Sequence, residues 1–167
     1  LHDAAPGNLC MDWQGGDREA VDRLFASAAK TVALEARNNR ISPSAIEPRV
    51  AIGDYDAGNG QYTLHIPSQG VHRIRGLLAG NVLKVPESRL RVMTPDVGGG
   101  FGVKLWLYPE HVLVLWAAQR LGRPVKWLGS RAESFLTDRH GRDVLTKGEM
   151  ALNQEGRILA LRIDNIA

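Results

Sequence analysis

Two periods alternate along this chain. Residues 17–30, DREAVDRLFASAAK, bring Val21, Leu24, Phe25 and Ala28 to one face at helical spacing. The next stretch, TVALEA, alternates Val32, Leu34 and Ala36 and predicts a strand. EPRVAIGDYD and QYTLHI are β-rich runs on either side of AGNG, whose Asn-Gly pair predicts a hairpin turn. Helical spacing returns at Val71, Ile74, Leu77 and Leu78, with Gly80 weakening its end. SRLRVMTP predicts a short strand that delivers the chain into a glycine-rich loop. PEHVLVLWAAQRLG predicts a long helix, apolar nearly all round and therefore buried, opened by Tyr108 and Pro109 and stopped by Gly122. RPVKWLG is strand-like, Ser130 to Glu133 predicts a capping box on a short helix, and alternating stretches around NQEG predict a terminal hairpin. The sum is an α+β fold, a mixed β-sheet with two or three helices packed on it. No repeat, low-complexity tract or linker interrupts residues 1–167, so a single domain is expected.

Composition narrows the class without naming a function. The 167 residues are 44% hydrophobic, enough for a core. The 21 basic and 18 acidic residues leave a formal charge of +3, and the basic residues are scattered singly. Nucleic acid is therefore not an expected partner, since binding its backbone takes a concentrated positive face. The single cysteine, Cys10, excludes an internal disulfide framework and agrees with a reducing compartment; cytoplasm is the default expectation. No apolar run reaches transmembrane length, so no membrane partner is expected. The chain opens LHDAAPGNLC without a Met and closes LALRIDNIA inside an alternating run, which predicts a piece of something longer.

The chemistry concentrates in TPDVGGGFGVKLW, where Gly98, Gly99, Gly100 and Gly102 surround Phe101. Three roles compete. A phosphate cradle would use backbone N–H groups and a helix N-terminus, but the dinucleotide fingerprint lacks its third glycine and Lys104 lacks the spacing of a Walker loop. A structural role would have the glycines supply positive φ and Phe101 plug the core. The third role brings bare backbone up to a bulky, flat, anionic cofactor, with Phe101 shaping the pocket beside it.

The neighbouring segments favour the third. NRISPSAIEPRVAIGDYD, IPSQGVHRIR, ESRLRVMTPDVGGGFGVK, YPEH, LGRPVKW and RAESFLTDRHGRD follow in order, and together they resemble the molybdenum-cofactor-binding large subunit of the xanthine dehydrogenase/aldehyde oxidase/carbon monoxide dehydrogenase family. The resemblance implies a molybdopterin-binding-domain fold and places this chain as the first such domain of a longer subunit. It implies that the Gln69 amide hydrogen-bonds an oxo ligand of molybdenum. Backbone N–H groups of Gly99, Gly100, Phe101 and Gly102 would then face the pterin, with Phe101 lining the substrate pocket. An amide suits such a task because it donates without carrying charge. The implied cofactor is molybdopterin with molybdenum, in plain or cytosine dinucleotide form. Iron–sulfur clusters and FAD are expected on partner subunits or domains. The implied reaction oxidises a carbon centre of a small molecule (an aldehyde, a heterocycle or a carbon-monoxide-type substrate) with oxygen from water.

Departures from the family pattern bear on substrate and activity. Purine-oxidising relatives carry Glu after the motif lysine, where this chain has Leu105, which argues against a xanthine-type substrate. The family's general-base Glu lies outside these residues, so no catalytic residue and no direct metal ligand is assigned here, and the chain alone is expected to lack turnover. A non-catalytic assembly or interaction domain keeping the same fold is the alternative.

Other polar residues have plainer roles. His2, His65, His72, His111 and His140 show no paired ligand spacing and are expected at the surface or in packing. Asp138, Arg139, Arg142 and Asp143 are expected to be solvated loop charges with room for one structural ion pair. The resemblance adds that GRD, residues 141–143, could pack domains together. Trp106, Trp116 and Trp127 are expected to fill core or interface.

Overall fold

The Asn-Gly turn forms where the pattern placed it. Strands β1 (Lys30–Asn38), β2 (Val50–Asp56) and β3 (Gln61–His65) come early in the chain, and β2 pairs antiparallel with β3. Between them Gly60 turns at φ +71° and donates to the Asp56 carbonyl at 2.8 Å, while the Asn59 side chain accepts from Gln61 N. This is a computed structural model that describes residues 3–167; His2 lies outside them. The chain folds as two units, residues 40–141 and the two ends flanking that segment.

The central unit holds a four-stranded sheet. Strand β4 (Leu90–Met93) lies parallel to β3, and β5 (Val125–Leu128) lies antiparallel to β2, in the order β4-β3-β2-β5. A parallel neighbour needs a crossover. It is supplied by helix α2 (Val71–Gly76), which widens into a π-helix over Leu77–Leu83 and ends at left-handed Lys84. Helix α3 (Pro109–Leu121) starts with Pro in its first turn, where no N–H is needed, and stops at Gly122 with φ +63°. Helix α4 (Arg131–Thr137) begins with the expected box: Ser130 Oγ accepts from Glu133 N, and Glu133 accepts from Ser130 N.

Alternation in the strands turns one side of this sheet inward. Ala51, Tyr62, Leu64 and Leu90 meet Ile74, Leu78, Ala79, Val114 and Leu115 in one buried cluster. Gly53 lets β2 and α3 touch backbone to backbone: a Cβ there would stand 2.6 Å from the Val114 carbonyl. Helix α3 is not buried all round, as its composition suggested. Val114, Leu115 and Ala118 are covered, whereas Leu113, Trp116 and Leu121 are more than half exposed. A helix lying on one face of a sheet buries a stripe and leaves its outer side open.

The terminal unit carries helix α1 (Arg18–Ala26) and an antiparallel sheet in the order β1-β6-β7, with β6 spanning Val144–Leu152 and β7 Ile158–Ile166. Helix α1 is shorter than its apolar spacing suggested and is capped by Asp17, which accepts from Ala20 N. It packs on the face where Ala151 and Ala160 are buried, and Arg162 joins Asp22 to Glu149 beneath Phe25. The other face presents Val32, Leu34, Leu161 and Ile163, each substantially exposed. No helix among the described residues is long and apolar enough to cross a membrane.

Candidate functional site

The glycine loop leaves β4 and enters α3 through a short 3-10 turn at Val103–Leu105. Gly99 (φ +94°), Phe101 (φ +51°) and Gly102 (φ +88°) all take the left-handed region. Glycine does so freely, but Phe101 does so at a cost on the order of 1 kcal/mol, an outlier of the kind that gathers at functional sites. The Phe101 ring does not plug the core. It is 73% exposed, with its edge folded over Gly99. Phe101 is therefore not the core plug of the structural role, although Gly99 and Gly102 do supply the positive φ it called for.

Gln69 lies against the loop. Its Oε1 accepts from Gly102 N at 3.0 Å, which orients the amide and leaves both Nε2 hydrogens without a protein acceptor among the described residues. Gly100 is buried beneath this side chain, and a Cβ on Gly100 would collide with the Gln69 amide carbon. Gln69 N donates to the Lys104 carbonyl at 3.1 Å, and Ser68 Oγ donates to the same oxygen. Val103 N donates to the Gly100 carbonyl, closing the loop on itself.

The donors that remain are specific. Among the described residues no protein group accepts from the N–H of Gly99, Gly100 or Phe101. Buried backbone donors are nearly always paired, so the unpaired N–H of buried Gly100, flanked by those of half-buried Gly99 and exposed Phe101, suits an acceptor from outside the chain. Gly102 differs from the expectation: its N–H is held by Gln69, because the side chain folds back onto the loop. What Gly102 contributes is clearance, since nothing lies within 4 Å of where its Cβ would be.

Two buried cations support this surface; sequence spacing tests Lys104 only as a Walker lysine and gives Arg49 no separate role. Lys104 has a side chain 1% exposed and pairs with Glu47 at 2.6 Å; the same carboxylate oxygen accepts from Gly98 N at 2.8 Å. Burial alone would raise the Glu47 carboxyl, but hydrogen bonds from Lys104 and Gly98 outweigh it and hold it below the usual carboxylate range. Arg49 donates to Asp138, Glu110 and Thr137 Oγ1, and its guanidinium stacks 3.7 Å from the Tyr108 ring centroid. Asp138 is thus a buried partner, the one structural ion pair allowed for, and not a solvated charge. Tyr108 Oη donates to the Val103 carbonyl at 2.9 Å and accepts from Arg139 N, linking the Arg49 corner to the loop. The only hint in the sequence was the E-P-R triplet, which carries Glu47 and Arg49 together.

The described histidines serve packing or the surface. His111 Nδ1 accepts from Tyr108 N at the start of α3, and burial, then the Arg49 charge, lower its pKa from 6.5 to about 4. It stays neutral and so keeps the lone pair the cap needs. The guanidiniums of Arg73 and Arg139 both stack on Trp106, Trp127 borders the core, and Trp116 is half exposed against Arg120. No cluster of three or more His, Cys, Asp or Glu placed to hold a metal occurs among the described residues.

A strand, a bare loop with free N–H groups and an amide presented beside it now have counterparts to compare. The molybdopterin cofactor-binding domain model matches residues 1–167. The chain belongs to that family. It is 37% identical over 163 residues to the carbon monoxide dehydrogenase large chain of Hydrogenophaga pseudoflava, covering 96% of this chain and 20% of the relative. Carbon monoxide dehydrogenase from Oligotropha carboxidovorans superposes with a TM-score of 0.87 at 34% identity, over 92% of this chain and 19% of that one. The aldehyde oxidoreductase of Desulfovibrio gigas superposes with a TM-score of 0.80 at 27% identity, over 90% and 16%. The family members it matches are molybdenum-binding oxidoreductases, and the chain spans about a fifth of their length. The resemblance drawn from the six motifs and the α+β class are both borne out.

Proposed function

We propose that this chain forms one wall of a molybdopterin site in a longer molybdenum hydroxylase. The observation that carries the proposal is the run of free N–H groups at Gly99, Gly100 and Phe101, set beside the unengaged Gln69 amide hydrogens. The residues fit the group. Gly100 lies where a side chain would displace Gln69, Gly102 opens space, and all the donors presented are uncharged. Uncharged donors suit the oxygens of an anionic cofactor, which they can approach without fixed neutralisation.

When bound, molybdenum would supply two-electron redox chemistry in which water gives its oxygen to the substrate carbon and two electrons and two protons are released, so that a C–H becomes C–OH or carbon monoxide becomes carbon dioxide. The residues of this chain would do the holding. Gly99, Gly100 and Phe101 would donate to the cofactor, Gln69 would orient its oxygens, and the exposed Phe101 ring would line the substrate side. Leu105, half-buried against Gly70, offers no hydrogen bond to a heterocycle, which favours an aldehyde, carbon monoxide or a less polar ring over xanthine. The proton-accepting base, iron–sulfur clusters and flavin would come from the rest of the subunit and its partners, in a cytoplasmic complex. Without them the isolated chain would not turn over.

Molybdenum and pterin analysis of the native holoenzyme, produced with ample molybdate, tests this reading. Stoichiometric metal is expected; persistent absence would favour a non-catalytic assembly domain. The apolar surfaces at Leu113, Trp116 and Leu121, and at Val32, Leu34, Leu161 and Ile163, are what such a domain would also show.

A further inference from the structure

We propose that the Glu47–Lys104 ion pair is a latch that sets the shape of the glycine loop and the direction of its free donors. The pair acts through the backbone, so these are positioning residues. Their service to the cofactor rests on the function proposed above; the latch itself does not.

Glu47 grips Gly98 from two sides. Its carboxylate accepts from Gly98 N at 2.8 Å, and its own N–H donates to the Gly98 carbonyl at 3.1 Å. The approach is so close that a Cβ on Gly98 would lie 2.5 Å from Glu47 Cβ. Lys104 then ties this grip to the far end of the loop. Its ammonium holds Glu47, while its carbonyl accepts from Gln69 N and Ser68 Oγ. One residue therefore fixes both the entry at Gly98 and the segment that presents Gln69, and Gly99–Val103 is stretched between the two. Adjacent Ala45, itself buried, closes against Gly99.

The energetics separate shape from stability. A buried ion pair seldom stabilises a fold more than apolar side chains of similar size would, whereas removing one partner strands a charge. Lys104 has almost no access to water, while the Glu47 side chain keeps about a third of its surface exposed. Glu47→Met should therefore destabilise more than Lys104→Met, and Glu47→Met/Lys104→Met should recover most of the loss. A merely structural pair would regain everything in the double variant. A latch would not, because Gly98 has still lost its acceptor.

Amide hydrogen exchange at Gly98 and Gly102 in the native holoenzyme and its apo form reads the difference, with β2 amides as the internal reference. In the double variant the Gly98 and Gly102 amides, the two in the loop that have protein acceptors, should exchange about tenfold faster or more while β2 stays protected. Glu47→Gln, which retains an oxygen for Gly98 N, should fall between wild type and the double variant and covers the case in which the double variant folds poorly. Loop exchange unchanged in both variants overturns the latch. Faster loop exchange with undiminished molybdenum overturns its service to the cofactor. A wild type without molybdenum would sink the functional reading instead, and exchange in the apo protein would still decide the latch.

Discussion

The corner around Arg49 and the loop around Lys104 each bury a cation, and they use it differently. Arg49 spreads its fork over Asp138, Glu110 and Thr137 and lays its plane on Tyr108, so one residue joins β2, α3 and α4. Lys104 commits its ammonium to a single carboxylate, and that carboxylate's remaining partner is a loop N–H. A planar, multiply bonded guanidinium suits a permanent joint; a point charge on a flexible stem suits a single hold. The contrast separates scaffold from site within one unit.

The largest way to break that contrast is at the joint. Arg49→Met leaves Glu110 and Asp138 facing each other unpaired and should cost about 3–5 kcal/mol in urea denaturation. Lys104→Met should cost visibly less, because Glu47 reaches water. Equal losses would erase the distinction.

Acid sharpens the same comparison. In the fold His111 protonates near pH 4, against an ordinary value of 6.5. Between those values the unfolded chain holds the extra proton, so stability is complete above about pH 6.5 and falls as pH drops toward 4, by roughly 3 kcal/mol. Glu110 and Glu47, both held below the usual carboxylate range, add losses only at lower pH. His111→Gln, which can still cap Tyr108 N, should flatten the slope between pH 6.5 and 4. An unchanged slope would locate the titrating group elsewhere.

The smallest effect belongs to the loop's own strain. Phe101→Gly releases a left-handed phenylalanine whose ring is mostly in solvent, so thermal stability should change by no more than about 1 kcal/mol in either direction. A larger loss would mean the ring carries packing that its exposure denies.

Much of this was legible along the chain. The hairpin around Asn59-Gly60, the capping box at Ser130–Glu133, the Gly122 stop and the glycine loop are local, because turn and cap chemistry depends on residues a few positions apart. Gln69 was expected beside the loop only through the family resemblance that PSQGVH helps to carry; its own spacing reads as a polar residue at a helix start. The two buried cations were not legible. Glu47 and Lys104 are 57 residues apart and Arg49 and Asp138 are 89 apart, and nothing local distinguishes a paired charge from a solvated one. Exposure misled in the same way. An apolar α3 reads as buried throughout, until the sheet shows which side of it is covered.

The central claim is that free loop donors beside Gln69 hold molybdopterin. Gly100→Ala tests it most directly, because the three atoms nearest the added methyl all belong to the Gln69 side chain. Molybdenum content of the native holoenzyme carrying this substitution should fall well below wild type, with the thermal midpoint nearly unchanged. Full molybdenum retention with Gln69 displaced would contradict the account.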